Sequence, residues 1–330
     1  MKLLFQTTGT TGSTELKSLL GSIDADLKIQ NLIPDLITAT NDVIDLVGEE
    51  VYKKATDLYG NGTIADENKD FIFAIRYPIA VNAYRLIAPS NDLAHTNNGR
   101  KMRHDDNEKQ AFEWMIDRDN AALERRYYRA LDDLIKFLDR SKVDAETSTT
   151  LYTIWTTSEA FKATHNLFIR TVADFDQHFT INSRLLLIKL APAIWDCEQY
   201  KIRPLIGTEK LTALKQALKS GTEITEAKDL ELIRLIQKAS VSYALAWAMP
   251  RLSVQLYPEG VLQHVTSDRA TTRGAKPTLK NETQEARQAF ESDFDRVILE
   301  IERLVAPAPT IDECQPINPE IIYGDKFMSL

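Results

Sequence analysis

The chain has 330 residues, 43% of them hydrophobic, and a formal net charge of −8 at pH 7, so it is long enough to bury a sizeable core. The acidic balance argues against a protein that wraps nucleic acid, because phosphate binding depends on lysine and arginine side chains that displace counterions. Cys197 and Cys314 lie far apart without a CxxC spacing, and we expect free thiols rather than a zinc site or a disulfide framework.

Apolar residues at helical spacing predict helices over 13–20, 29–44, 49–59 and 71–88. Gly21 and Gly48 follow two of these segments and are expected to end them. The last segment is strongly apolar and contains Pro78, which removes one backbone donor, so we expect a kink or a restart there. No uninterrupted apolar run approaches the ~18 residues of a membrane span, and no membrane contact is expected.

Two turn signals predict short β-hairpins. Asn98 and Gly99 form the Asn-Gly pair that is typical of a two-residue hairpin loop. Later in the chain, apolar residues alternate from Leu252 up to the turn residues Pro258 and Gly260. We expect two short strands joined by a turn at each place.

A long amphipathic helix is predicted after each hairpin, over 108–139 and 283–305. Phe112, Met115 and Ile116 begin the apolar stripe of the first long helix, and we expect this stripe to pack. Between the two halves, the segment 147–157 is rich in β formers.

The two halves of the sequence resemble each other, which indicates an internal duplication. Three sets of residues in the first half align with residues in the second half. At a shift of 159, Leu46, Gly48 and Glu50 align with Leu205, Gly207 and Glu209. At a shift of 161, Pro89 and Gly99 align with Pro250 and Gly260, and at a shift of 166, Leu131 and Ile135 align with Val297 and Ile301. The glycine and proline matches do not follow from helical periodicity, which favours duplication over chance. We therefore predict a mainly α fold of two tandem related helical units, each with an inserted short β-hairpin. The first unit spans 1–145, the second 146–305, and an extended C-terminal arm 306–330.

One cluster of polar residues has the composition of a metal site. His104, Asp105, Asp106 and Glu108 bring one imidazole and three carboxylates together within five positions. Adjacent side chains rarely point together, and acidic residues just before a helix interact favourably with its dipole, so we favour a helix-capping role. No GxGxxG, GxxxxGK[ST], GxSxG, HExxH or CxxC pattern appears. We expect no catalytic residue, no metal and no cofactor.

Arg125, Arg126 and Arg129 have the composition of a phosphate-binding patch. Asp132 and Asp133 flank them on the same helix, together with other acidic residues. We therefore expect a solvated or subunit-contacting face.

Several segments carry a resemblance to a known family: Met1 to Phe5, Glu15 to Gly21, Phe179 to Arg184, the paired Leu-Val-Gly and Leu-Ile-Gly turns, Tyr257 to Gly260, and Lys326 to Leu330. Over nearly its whole length the chain resembles an uncharacterised family encoded by tailed bacteriophages and prophages. The resemblance implies a virion structural protein similar to head-tail connector adaptors, whose helical subunits form a ring beneath the portal. The chain is about twice the length of the common adaptors, which fits a duplicated unit.

The resemblance also implies the partners and the location. We expect a homo-oligomeric ring in the virion neck, in contact with portal and tail or neck proteins, made in the cytoplasm of the bacterial host. Double-stranded DNA is expected to pass through the lumen without specific binding, since an acidic wall repels the duplex. The expected role is structural and not enzymatic.

The segment after Val305 begins with Ala-Pro-Ala-Pro and then carries scattered apolar residues, namely Ile321, Ile322, Tyr323, Phe327 and Met328. Extended apolar tails commonly dock on another surface, and we expect this arm to contact a neighbouring chain. Two alternatives stay open: an intracellular helical protein-interaction scaffold, and a metal-dependent hydrolase of unfamiliar type that uses the cluster from His104 to Glu108.

Overall fold

The structure is a computed structural model that describes residues 2–7, 10–21, 28–60, 64–91, 93–96, 99–102, 111–140, 148–252, 254–257, 260–263 and 280–306. Helices account for most of the described residues, in agreement with the predicted helical character.

The first part of the chain forms α1 (Thr11–Leu20), α2 (Ile29–Val47), α3 (Glu49–Tyr59), α4 (Lys69–Asn91) and α5 (Glu113–Arg140), with a 3-10 turn at Asp66–Asn68. A connection follows with α6 (Ser148–Thr156), α7 (Glu159–His165) and α8 (Val172–Asp176). The second part forms α9 (Arg184–Asp196), a π-helical segment (Cys197–Ile202), α10 (Arg203–Ile206), α11 (Thr208–Ser220), α12 (Ala227–Arg251) and α13 (Lys280–Val305).

The structure corrects the predicted fold class in its β component. Extended backbone pairing in the described residues is confined to two isolated antiparallel pairs, β1 (Leu93–Thr96) with β2 (Gly99–Met102) and β3 (Val254–Tyr257) with β4 (Gly260–Gln263). Two strands of this length are only marginally stable alone, and the described core is built by helices and the loops between them. Leu252, expected in the alternating strand pattern, instead follows α12 in a right-handed helical conformation. In the described residues the fold is therefore mainly helical, without a β layer.

The two halves of the chain share one order of elements. A helix ends at a glycine, a second helix and a long core helix follow, and a long closing helix ends the series. We call 29–140 the first repeat and 184–305 the second repeat. Counterpart residues are buried alike: Ile75 and Ile236 are both fully buried, as are Ala83 and Ala244. The two tandem units expected from the sequence thus have matching element orders and matching core positions.

The glycine turn is the most similar local feature of the two repeats. Gly48 has φ 92° and ψ 152°, and Gly207 has φ 81° and ψ 156°. This region of backbone conformation is essentially restricted to glycine, because a Cβ atom there clashes with the neighbouring peptide groups. Each glycine lets the chain leave one helix and enter the next without an intervening loop.

Each core also contains a short non-helical segment that carries a Leu-Phe pair; we call these segments straps and define them as residues 2–7 and 166–171. Leu4 and Phe5 precede α1, Leu167 and Phe168 precede α8, and all four side chains are buried. One hydrophobic cluster draws on residues between 4 and 161, and the other two draw on residues between 167 and 301. The predicted boundary near residue 145 stays a prediction.

Three local features are placed by the structure. The segment 147–157, rich in β formers, contains the helix α6, in which Leu151 and Trp155 lie one turn apart and both reach the first core. Helix α4 continues through Pro78 as one element, so there is no restart within it. The expectation that Phe112 and Met115 pack was wrong, because these side chains are 67% and 41% exposed.

Among the described residues, the segment Asp66–Asn91 is long and apolar enough to cross a membrane by length and composition alone. Within the fold, 56% of its most apolar window is buried. Core helices of soluble proteins pass the same test, so the segment is weak evidence for a membrane span.

Candidate interaction surfaces

Most of the residues singled out in the sequence lie outside the described residues. This applies to the arm residues Ile321, Ile322, Tyr323, Phe327 and Met328, to the turn residues Asn98 and Pro258, and to the cluster from His104 to Glu108. Gly99 and Gly260 are described, and each begins the second strand of its pair. Within the described part of the chain, no group of three or more histidine, cysteine, aspartate or glutamate side chains is placed to hold a metal ion.

The start of α5 is an exposed apolar surface, which we call the α5 tip and define as Phe112, Trp114 and Met115. Their exposed fractions are 67%, 51% and 41%. The first buried residue of α5 is Leu123, so about three turns of helix precede the packed part of this element. The carbonyl oxygen of Phe112 accepts hydrogen bonds from the amides of Met115 and Ile116, which orders the first turn. The tip is thus a helical projection with large apolar side chains in solvent.

The arginine group of α5 does not form a common patch. The Nε atom of Arg126 donates to the hydroxyl of Tyr77 at 2.7 Å, and its Nη2 atom donates to the carbonyl of Leu20 at 3.0 Å. The guanidinium of Arg125 donates to the Ala121 carbonyl of its own helix. Arg126 therefore ties α5 to α4 and to the end of α1, and only Arg125 and Arg129 face solvent.

A buried ion pair fixes the strap of the first repeat. Arg76 is 8% exposed, and its guanidinium lies 2.9 Å from a carboxylate oxygen of Glu15. The guanidinium also lies over the rings of Phe5 and Tyr59, with its central carbon 4.8 and 5.1 Å from the ring centroids. The Tyr59 hydroxyl donates to Glu15 at 2.9 Å, and burial raises the pKa of Tyr59 above its usual value. The cluster neutralises a cation inside the core and locks the strap and α1 onto α3 and α4.

A second buried ion pair fixes the strap of the second repeat. Glu198 lies in the π-helical segment, is fully buried and pairs with Lys215. Its other oxygen accepts the amide of Phe168 at 2.7 Å, and burial raises the pKa of Glu198 although Lys215 opposes that shift. Gln237 is the counterpart of Arg76 at the 161-residue shift. Its side-chain amide donates a hydrogen bond to the backbone carbonyl of Phe168 at 3.0 Å. Arg76 and Gln237 therefore contact the two straps through different interactions. Arg76 lies over the ring of Phe5, whereas Gln237 forms a hydrogen bond with the backbone of Phe168.

Cys197 precedes Glu198 in the π-helical segment and is fully buried as a free thiol. Burial raises the pKa of Cys197 to about 12, so the thiol stays protonated at neutral pH. π-helical turns are frequent at functional sites, but here the segment presents a protonated thiol and a paired carboxylate. This arrangement supports packing rather than nucleophilic chemistry.

The two repeats meet where α5 contacts α9. Asp139 accepts hydrogen bonds from the indole of Trp155 at 2.8 Å and from the Nε atom of Arg184 at 3.0 Å. Asp132, expected on a solvated face, is 9% exposed and accepts the backbone amide of Leu185 at 2.8 Å. Asp132 thus binds the backbone at the start of α9, Asp139 binds the Arg184 side chain, and both carboxylates connect the repeats through charged hydrogen bonds.

A cavity of about 290 Å³ opens in the second repeat near the end of α13. It lies between the end of α10, the first turn of α11, the start of α12 and the last residue of α13. Its apolar lining is Ile206, Leu232 and Val305, and its polar rim includes the ion pair of Lys210 with Asp229. The cavity thus combines an apolar floor with a neutralised rim, which suits an apolar side chain more than a charged ligand.

The buried pairs were missed in the sequence, although one signal was present. Arg76 is the first charge after Asp70 in a strongly apolar helix, and such a residue needs a buried partner. Its partner Glu15 lies 61 positions earlier, and no local spacing connects the two residues. Glu198 and Lys215 are joined only by the fold as well.

These features define the chain as a mainly helical protein with two similar repeats, in which a buried ion pair beside each core helix fixes a strap. The sequence matches a family of unknown function (DUF6712) over residues 40–164 and 202–310, and the chain belongs to this family. The two matched segments contain the two glycine turns with their core and closing helices. No curated protein and no solved structure matches the chain.

Proposed function

We propose that this chain is a structural protein of tailed-phage virions, a head-tail connector or adaptor that assembles into a ring beneath the portal. The observation that carries the proposal is the α5 tip, a helical projection that exposes Phe112, Trp114 and Met115 to solvent. Large apolar residues on a projecting helix are typical of protein contacts. The occupant we assign is a second copy of this chain, because ring proteins make repeated contacts between identical subunits.

The fold supports this role in two further respects. Two similar helical repeats in one chain provide two similar wall segments, which a ring can use at quasi-equivalent places. The buried pairs around Arg76 and Glu198 fix the straps to the helices. Such contacts favour a rigid helical subunit, which a ring requires. The net charge of −8 suits a lumen through which DNA passes, since an acidic wall repels the duplex. The resemblance of the sequence to phage and prophage proteins points to the same role.

The first test is the mass of the purified protein in solution, measured by light scattering, together with electron microscopy of the particles. We expect a closed ring in the wild type and a shift to monomers in the variant Phe112→Ser/Trp114→Ser. The matched control is Trp195→Ser, which changes a 46% exposed tryptophan on α9 and should leave the ring intact. A wild-type protein that is strictly monomeric at all concentrations contradicts the proposal.

The second test concerns location. Antibody labelling of virions should place the protein at the neck, in complexes with portal and tail proteins. A protein that is absent from virions and is recovered with host proteins instead supports the alternative of an intracellular scaffold. Metal analysis of the purified protein addresses the hydrolase alternative, which requires about one bound metal ion per chain.

A further inference from the structure

The segment after α5 completes the core of the first repeat. Leu151 and Trp155 of α6 and Phe161 of α7 are buried there, and the Trp155 ring packs against Phe161 with centroids 6.0 Å apart. The same segment covers the glycine turn, because a Cβ atom built on Gly48 would lie 3.6 Å from the Cβ atom of Ser158. Helices α6 and α7 therefore close the end of the first repeat.

The corresponding place in the second repeat is open in the described residues. The cavity residues Ile206, Lys210 and Leu232 are the counterparts of Val47, Val51 and Phe71, at shifts of 159, 159 and 161. Val47 and Val51 are 0% and 1% exposed, whereas their counterparts Ile206 and Lys210 are only half-buried. The third pair, Phe71 and Leu232, is buried in both repeats. A Cβ atom built on Gly207 would meet no described atom within 4 Å. Within the described residues, the second repeat thus has the socket without a segment that fills it.

The sequence after α13 contains apolar residues at the required positions. The closing helices align at a shift of 166. At the same shift, Leu151, Trp155 and Phe161 align with Ile317, Ile321 and Phe327. Val305, which lines the cavity, is the counterpart of Asp139, and the first of these apolar residues follows each of them at a shift of twelve positions. The chain therefore leaves α13 at the cavity with the length and the apolar spacing that fill the first socket.

We propose that residues 317–327 fold back on their own chain and fill the cavity between α10, α11, α12 and α13. Ile321 occupies the place that Trp155 has in the first repeat. The arm is in this case the closing segment of the second repeat. This assignment differs from the expectation that the arm contacts a neighbouring chain, and it does not depend on ring formation.

Cysteine cross-linking in the full chain tests the contact. In a Cys314→Ser background, the pair Ile206→Cys/Ile321→Cys should form a disulfide under mild oxidation. The control pair Ser220→Cys/Ile321→Cys should not, because Ser220 lies at the far end of α11, about 20 Å from its start. Mixing ¹⁴N-labelled and ¹⁵N-labelled protein before oxidation should give cross-linked peptides of a single label. Peptides that carry both labels show a neighbouring chain in the cavity and overturn the proposal, as does the absence of any 206–321 cross-link.

Hydrogen exchange gives a readout that needs no cross-link. The variant Ile321→Asp/Phe327→Asp should lose amide protection over 211–214, while the counterpart amides over 52–55 keep theirs. Ser329→Asp is the matched control and should behave as the wild type. Unchanged protection over 211–214 in the double variant overturns the proposal.

Discussion

Gly48 and Gly207 adopt the same backbone conformation in the two repeats, with φ 92° and 81°, but among the described segments only Gly48 has another one packed on it. Ser158 packs beside Gly48, while no described atom lies near the Cβ position of Gly207. Within the described residues, the turn thus has one conformation both with and without a neighbouring segment.

Substitution by alanine should destabilise the protein at both glycines to a similar degree. A Cβ atom at these φ and ψ values causes backbone strain of about 1–3 kcal/mol, and no described atom lies close enough to either site to add to it. Urea unfolding of Gly48→Ala and Gly207→Ala measures the loss. Thr208→Ala, an exposed position in the first turn of α11, should change stability by less than about 0.5 kcal/mol. A Gly207→Ala variant as stable as the wild type would show that the turn tolerates a side chain.

Trp155 should be the most costly tryptophan to remove. It is fully buried and its indole donates to Asp139, so Trp155→Ala creates a cavity and leaves a carboxylate with one hydrogen bond fewer. We expect a loss of about 3–5 kcal/mol in the free energy of unfolding. The matched control Trp195→Ala removes a 46% exposed ring that packs edge-on against Tyr200, at a cost of about 1 kcal/mol. Equal losses in the two variants would contradict the placement of Trp155 in the core.

Patterns that are local in sequence predicted the helices well. The apolar periodicity of α2 and α3 and the glycine between them gave bounds close to those observed, because a helix face and a glycine turn are both set by neighbouring residues. The repeat was visible because glycine and proline matches persist where the backbone imposes them. The composition of segment 147–157 did not predict its helix, because burial of Leu151 and Trp155 outweighs the β propensity of the threonines around them.

The contacts that join distant segments were not predictable. Arg76 meets Glu15, and Glu198 meets Lys215, through the packing of helices that are far apart in sequence. The exposure of the α5 tip was missed for the same reason. The helical period places Phe112 and Met115 on the apolar stripe of α5, but only the packed fold shows that the first buried residue of this helix is Leu123.

Breaking the buried pair of the first repeat should be far more costly than breaking an exposed pair. Glu15→Gln leaves the Arg76 charge in the core without its partner, and we expect a loss of about 3 kcal/mol. Glu159→Gln breaks the exposed pair with Lys162 and should cost less than about 0.5 kcal/mol. Urea unfolding at one pH compares the two. The double variant Glu15→Gln/Arg76→Gln should regain part of the loss, since position 237 of the second repeat already carries a glutamine, and no recovery would contradict this account.

Protonation of His178 should lower the free energy of unfolding in mild acid. Burial lowers the pKa of His178 below 6.5, and the nearby charges of Arg234 and Lys238 lower it further. Below pH 6.5 the unfolded chain therefore binds the proton more readily than the folded protein, so this contribution is complete above pH 6.5 and is lost as the pH falls towards the folded pKa. His178→Asn removes the titrating group, so the variant should lose less stability than the wild type between pH 7.5 and pH 5. Gln177→Asn, an exposed neighbour on the same segment, should keep the wild-type pH dependence. Urea unfolding at the two pH values measures both, and identical pH dependence in the wild type and in His178→Asn would show that His178 titrates as it does in the unfolded chain.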